Sequence, residues 1–420
     1  MTAIEAGMHR IQVNGEMHKI PGGDLLSVPG LRGAGVHCGL KQHGELDLAI
    51  VAAEHPWIAA GMFTRNQLPA APVLLCRGRL AHTPAARAVV INSGNANALT
   101  GADGARDAAL MAEWTEDLCG GPALVLSTGV IGEPLPMERV EAGIKMAAAA
   151  LSDDAGAQVA QAMLTTDTCQ KICALRVHLG HEVGEPDRWV TVGRVAKGSG
   201  MIHPDMATML CVLATDAPLS ADAADLVLRR AVDQSFHQIT VDGDTSTNDT
   251  VLLLADGEAG ATIEIDDPRV GILEEAVCVV ASDLARQIVA DGEGATRLME
   301  LFVTGAADAD QARKVARAVT GSLLVKTTLA GGDPNWGRIM AAAGASGTRL
   351  LPESMSLTIG EVPVMEDGVL LDADPAALAR HFSAAEVRVA LDLGLGTAAT
   401  RMITSDITRE YVAINADYHT

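Results

Sequence analysis

Short β-branched segments and alanine-rich helical segments alternate along the whole chain, and that alternation confines it to folds that mix helices with sheets. Residues 46–52 and 88–92 read as strands, being short, β-branched and bounded by turn residues. Further strands are predicted over 123–126, 187–194, 250–256, 261–266 and 356–359, and the last ten residues, 411–420, are strand-like as well. Helical spacing runs through 102–119, where Ala105, Ala108, Met111, Ala112 and Leu118 recur before a Gly120-Gly121 stop. Residues 136–151, 221–236, 273–291 and 310–320 are the other predicted helices, the last ending at Gly321. No internal repeat or low-complexity linker interrupts the pattern. The class is therefore α/β–α+β. The least regular stretch, 151–209, collects Gly, Thr, Asp and Pro, and a functional loop is expected there.

Charge narrows the function. Lys plus Arg number 31 against 53 Asp plus Glu, a net charge of −22. So acidic a surface repels phosphate backbones and anionic lipid, which argues against nucleic-acid and membrane partners. Aromatic residues make up 2%, too few for a base-stacking platform. At 420 residues, 48% of them hydrophobic, the chain can bury one large core or two. Residues 1–10 lack an apolar core of signal-peptide length, and no apolar run approaches the ~18–20 residues that span a bilayer. Seven scattered cysteines fit reduced thiols, and the expected location is cytoplasmic. The only close pair, Cys169 and Cys173, lacks the partners a zinc site needs, so no metal is expected.

Familiar catalytic motifs are missing. There is no phosphate-binding G-x-x-x-x-G-K-[ST] loop, no H-E-x-x-H and no G-x-S-x-G elbow. Residues 242–249 suggest a calcium loop but carry Thr247 and Leu253 where Gly and Glu are required, so a polar turn capping a helix or lining a cleft is the plainer reading.

The segment 195–210, Val-Ala-Lys-Gly-Ser-Gly-Met-Ile-His-Pro-Asp-Met-Ala-Thr-Met-Leu, is unusual on local grounds. A flexible Gly-Ser-Gly and a proline deliver an Ala-Thr bond into an apolar run. Taken alone it is a loop feeding a buried strand. Residues 196–210 nevertheless closely resemble the self-cleavage segment of the ornithine acetyltransferase (glutamate N-acetyltransferase) family of arginine biosynthesis. Similar blocks stand at 90–97, 127–132, 165–168, 239–249, 291–296, 332–338 and 415–420, in the family's order and over nearly the whole chain.

The resemblance implies a two-domain mixed fold whose precursor cuts itself at Ala207–Thr208, giving an α chain 1–207 and a β chain 208–420 that interleave, usually as an α2β2 heterotetramer. It makes Thr208 the nucleophile, with its freed α-amine as base. An N-terminal amine of pKa ~7.7–8.0 suits that task near neutral pH. Thr128 and Gly129 match the family's oxyanion hole; read alone, they are an ordinary turn after a strand. Lys197, Glu293, Thr165, Asn415 and Thr420 match its substrate-binding positions, with Thr166 the second choice to Thr165. Without the resemblance, Lys197 is a solvated loop lysine and Glu293 a turn carboxylate between two helices. Asp417 stands where the family more often has Glu, and Cys169-Gln170 replace more usual residues.

The implied reaction is a ping-pong transfer of acetyl from N2-acetyl-L-ornithine to L-glutamate, with no cofactor. Some members also take acetyl from acetyl-CoA, and no nucleotide motif decides that here. Two rivals remain at this stage. A self-cleaving Thr-nucleophile amidase or aminopeptidase would pass the acyl group to water, and a non-enzymatic relative would keep the Ala207–Thr208 bond intact.

Overall fold

The computed structural model describes residues 16–180, 188–203, 209–258 and 260–417. The described residues form two compact units, one of 16–237 with 244–288 and a smaller one of 238–243 with 289–417.

The larger unit is built on a nine-stranded mixed sheet. Its strands are β1 (Met17–Lys19), β2 (Leu31–Val36), β3 (Leu48–Phe63), β4 (Ala85–Asn92), β5 (Ala123–Ser127), β6 (Lys171–His178), β7 (Trp189–Lys197) and β8 (Leu210–Thr215). After β9 (Ile239–Thr240), which belongs to the other sheet, comes β10 (Thr250–Ala255). They lie in the order β1-β6-β7-β8-β10-β3-β4-β5, with β2 also on β3. Along β3 the alternation puts Ala49, Val51 and Ala53 into one core and Leu48, Ile50 and Ala52 into another, so both faces are buried. Helices α1 (Ala71–His82), α2 (Gly101–Cys119), α3 (Met137–Ala149), α4 (Gly156–Met163) and α5 (Ala221–Asp233) accompany this sheet, as does most of α6 (Arg269–Ala290). Val159 and Met163 of α4 fill the first core; Met111 of α2 with Val140 and Ile144 of α3 fill the second.

The smaller unit carries a seven-stranded sheet in the order β14-β13-β12-β15-β11-β16-β9. Its elements are β11 (Leu298–Ala306), α7 (Ala309–Thr320), α8 (Leu323–Gly331), α9 (Gly337–Gly344), β12 (Ser356–Ile359), β13 (Val362–Glu366), β14 (Val369–Leu370), α10 (Pro375–Ser383), β15 (Glu386–Asp392), β16 (Ala398–Ser405) and α11 (Arg409–Asp417). Met299, Leu301 and Val303 of β11 pack with Val315 and Val319 of α7 in one core.

The predicted helices and most strands are present, with ends moved by a few residues, except that the strand predicted over 46–52 runs on to Phe63 as β3. Three expectations change. Residues 261–266 form no strand; Ile263 makes one isolated bridge to Leu219, and Asp267-Pro268 turns the chain into α6. The C-terminal stretch is the helix α11 over 409–417, not a strand. Among the described residues it has no sheet neighbour, so a helix is the form that satisfies its own backbone, with the Thr408 hydroxyl accepting from Glu410 N–H (3.2 Å) at its start. The irregular region 151–209 contains α4 and the long antiparallel pair β6–β7, whose register runs from Lys171↔Ala196 to His178↔Trp189.

The two chains expected from cleavage are not the two units. β7, which precedes residue 207, pairs antiparallel with β8, which follows residue 208, from Val192↔Thr215 to Lys197↔Leu210.

Candidate active site

The turn at Thr128-Gly129 grows from the parallel ends of β4 and β5, where Asn92 faces Ser127. Asn92 is wholly buried and spends every polar atom locally. Its Oδ1 accepts from Ser127 Oγ (2.6 Å), its Nδ2 donates to the Asn95 carbonyl (2.8 Å), and its own carbonyl accepts from Thr128 N–H (3.0 Å). Gly129 has φ +131°, and a Cβ there would meet the Gly94 carbonyl carbon at 2.2 Å. A side chain is therefore excluded by both conformation and space. The Thr128-Gly129 pair is not an ordinary surface turn; Thr128 is 2% exposed.

A second loop is stitched onto this turn. Residues 242–249, which fail as a calcium loop by sequence, lie in the connection from β9 to β10 and cap no helix among the described residues. Asn248 Nδ2 donates to the carbonyls of Ala96 (2.7 Å) and Ser127 (2.8 Å), so one buried amide ties the 96–97 and 127–129 segments together. Next to it, Asp249 Oδ1 accepts from Met209 N–H (3.1 Å), and Met209 C=O accepts from Thr250 N–H (3.1 Å). The chain thus enters β8, one residue after Thr208, in contact with the loop that holds the Thr128-Gly129 turn.

The third part is a buried charge cluster. Asp167 Oδ1 accepts from Lys171 Nζ (2.8 Å) and Gly198 N–H (2.6 Å), and Oδ2 accepts from Thr165 N–H (3.1 Å). Lys197 Nζ lies 3.8 Å from Oδ2. Burial alone would raise this carboxyl, but the Lys197 and Lys171 ammonium groups and the Gly198 N–H outweigh it and hold the pKa at about 2. Lys197 is 2% exposed at the end of β7, so it is a strand-end lysine rather than a solvated loop one. Its charge also acts on Asp249, which links this cluster to the chain entering β8. Lys41 adds a third ammonium nearby, donating to the carbonyls of Leu46 (2.9 Å) and Leu164 (2.6 Å). Glu45 and Asp47 also act on Lys41, so the larger unit gathers three ammonium groups and three carboxyls in one cluster around the ionised Asp167. The Thr166 hydroxyl is paired with Ser199 Oγ (2.7 Å), whereas Thr165 meets the cluster through its N–H.

Glu293 and Asn415 lie in the smaller unit and meet there. Asn415 Nδ2 donates to Glu293 Oε2 (2.7 Å) and to the Tyr411 carbonyl (3.0 Å). Glu293 follows α6 and precedes β11, between a helix and a strand rather than between two helices. Beside it Gly294 has φ +65°, and a Cβ would come 2.6 Å from Tyr411 N. A cavity of about 860 Å³ opens next to this pair, lined by Gly294, Thr296, Thr327, Gly331, Thr408 and Glu410 among others. Ala207, Thr208 and Thr420 lie outside the described residues.

Sequence reading missed Asp167, Lys171, Asn248 and Asp249. The signal was a run of polar residues placed immediately before apolar strands, where exposure cannot be read from composition. Four of the seven thiols are poor rivals to a hydroxyl nucleophile: burial pushes Cys38, Cys76, Cys211 and Cys278 up to about 12.

The model of the ArgJ family matches residues 32–420. A protein of Symbiobacterium thermophilum called arginine biosynthesis bifunctional protein ArgJ is 47% identical over 404 residues, which cover 95% of this chain and 99% of that one. One of the same name from Gloeobacter violaceus is 43% identical over 404 residues, covering 95% and 98%. A solved ornithine acetyltransferase from Mycobacterium tuberculosis, complexed with ornithine, is 37% identical, covers 46% of this chain and 100% of its own, and has a TM-score of 0.41. A match over nearly the whole length, with relatives this similar from end to end, means that the chain belongs to the ArgJ family.

Proposed function

We propose that this protein is the acetyltransferase of arginine biosynthesis that moves acetyl from N2-acetyl-L-ornithine to L-glutamate, after cutting itself at Ala207–Thr208. The observation that carries the reading is the Asn248 bridge: one loop both holds the Thr128-Gly129 turn and, through Asp249, receives the chain one residue after Thr208. An acyl-transfer site needs a nucleophile and oxyanion donors fixed in one frame.

In the proposed cycle the Thr208 α-amine takes the hydroxyl proton as Oγ attacks the acetyl carbonyl. The Thr128 hydroxyl and Gly129 N–H receive the developing oxyanion. The acetyl–nitrogen bond breaks, ornithine leaves with that proton, and the glutamate amine then collects the acetyl group from the Thr208 ester. Lys197 and Thr165 serve the substrate carboxylate, while Glu293, Asn415 and Thr420 serve the amine end. No resident cofactor enters these steps, and acetyl-CoA is a second acetyl donor in this proposal, as the word bifunctional in the relatives' name suggests. The proposed setting is the cytoplasm and the proposed assembly is α2β2. Pairing of β7 with β8 supports two chains that stay joined after the cut, since the ladder does not depend on the bond between them.

The test incubates purified protein with N2-acetylornithine and glutamate. Acetylglutamate and ornithine in equal amounts support the transfer; acetate release in place of acetylglutamate would make it a hydrolase. Replacing acetylornithine with acetyl-CoA decides the second donor.

A further inference from the structure

Asp249 and Asp167 are both buried carboxyls, but only Asp167 has donors for both its oxygens. Asp249 is 0% exposed; Oδ1 takes the Met209 N–H, and Oδ2 has no hydrogen-bond partner among the described residues. Burial is the main influence on it and pushes the carboxyl up toward its neutral form, against the Met209 N–H, the Lys197 ammonium and the nearby Thr64 hydroxyl, which donates to the Ser246 carbonyl (2.7 Å). Natural cores seldom keep such an atom without a use for it. The loop that carries Asp249 is rigidly tied. Its own carbonyl accepts from Thr64 N–H (2.9 Å), the Thr247 carbonyl accepts from Ala70 N–H (2.8 Å), and Asn248 makes the two bonds already described.

We propose that Asp249 is the positioning residue of the cleavage junction: its Oδ1 anchors Met209, the residue that follows Thr208, and its Oδ2 keeps hydrogen-bonding capacity beside that anchor. The inference rests on the reading that Ala207–Thr208 is the bond cut. In that step the Thr208 Oγ–Ala207 carbon bond forms, the Ala207 carbon–Thr208 nitrogen bond breaks, and the hydroxyl proton passes to the leaving nitrogen. Water then hydrolyses the ester, which returns the Thr208 hydroxyl and leaves a carboxylate on Ala207. The cut makes residue 208 a chain end, and chain ends fray unless tied down. The paired bonds on Met209 restrain that end at its second residue, as a terminal nucleophile requires.

Three full-length variants test this. Asp249→Asn keeps an acceptor for Met209 and a neutral donor; Asp249→Leu keeps bulk but neither polar atom; Asp249→Ala keeps neither bulk nor polarity. The fraction of cut chain is followed over time by mass of the denatured protein, with Thr208→Ala as the uncut control, and the Tm of each variant is recorded. The Asn variant is expected to cut at close to the wild-type rate, and the Leu and Ala variants about 100-fold more slowly. The Leu variant removes the bare oxygen but also the acceptor of the Met209 N–H, so its Tm is compared with that of the Ala variant to separate a fold defect from a cutting defect. Cutting by the Leu and Ala variants at the wild-type rate overturns the proposal. So does an Asn variant as slow as Leu, which would require an ionisable group rather than an anchor, or a loss of cutting that follows Tm across all three. A wild-type chain that stays uncut removes the reading underneath instead, which sets the two failures apart.

Discussion

Asp167 and Asp249 sit in the same unit, both feel Lys197, and are handled in opposite ways. Asp167 is surrounded by donors and held ionised, with its pKa at about 2. Asp249 takes the Met209 N–H on one oxygen, its other oxygen has no hydrogen-bond partner among the described residues, and burial favours its neutral form. The difference separates scaffold from working part. A buried carboxylate that is fully paired fixes the segments around it and has nothing left to offer; one left half-satisfied retains bonding capacity at the point where the chain is expected to be cut.

The largest effect that would sharpen this comparison comes from the turn held by Asn248, the residue beside Asp249. Gly129→Ala places a Cβ 2.2 Å from the Gly94 carbonyl carbon, so the turn proposed to hold the oxyanion must move. Acetyl transfer is expected to fall about 10²–10³-fold, measured as kcat at saturating acetylornithine. An unchanged kcat would detach the turn from the chemistry.

Removing Asp167 comes next. Asp167→Ala removes the carboxylate from the buried Lys171 ammonium and from beside Lys197, a broken buried pair that costs about 3–5 kcal/mol in denaturant unfolding. The same group sets an acid limit. Its folded pKa of about 2 lies below the ~3.9 of an unfolded Asp, so its contribution is fully present above about pH 4 and is lost as pH falls through 2. Acid unfolding followed by circular dichroism should show this dependence in wild type and not in the variant.

Asn248→Asp tests the bridge between the two loops. A carboxylate there faces the Ala96 and Ser127 carbonyls in place of an amide donor, and a loss of about 1–3 kcal/mol is expected, with slower cutting. Cutting at the normal rate would break the link between the loop and the turn.

The last prediction, whose effect on cutting is the smallest, contrasts the larger unit with the smaller one. Lys326 is buried there, donating to the carbonyls of Val241 (2.7 Å) and Ser405 (2.9 Å) and to the Thr404 hydroxyl. Burial lowers its pKa to about 7, against the pull of Asp242 and Asp406. The unfolded chain, with a lysine near ~10.4, then binds more protons than the folded one between about pH 7 and 10, so stability should rise with pH across that range. Lys326→Met should flatten that slope in thermal melts, while cutting at 207–208 proceeds.

Much of the fold is legible in the sequence because periodicity survives burial. The helix 102–119 and the strand 250–256 are found where alternation or helical spacing places them, within a residue or so. Pairing partners are not legible: nothing local in 411–420 says that Tyr411 and Val412 find no sheet edge, and nothing in 261–266 says that only Ile263 bridges. At the site, Thr128-Gly129, Thr165 and Lys197 stand out through family blocks, and the structure ties them to one buried frame. Asp249 and Asn248 were hidden because a polar run reads as solvated until the strands on either side are known to bury it.

The most direct test of the account is the mass of the denatured protein, quenched in acid after brief exposure to N2-acetylornithine without glutamate. The account requires two chains, 1–207 and 208–420, with one acetyl group on the second and peptide mapping that places it on Thr208. An uncut chain that still transfers acetyl, or an acetyl group on any other residue, would contradict it.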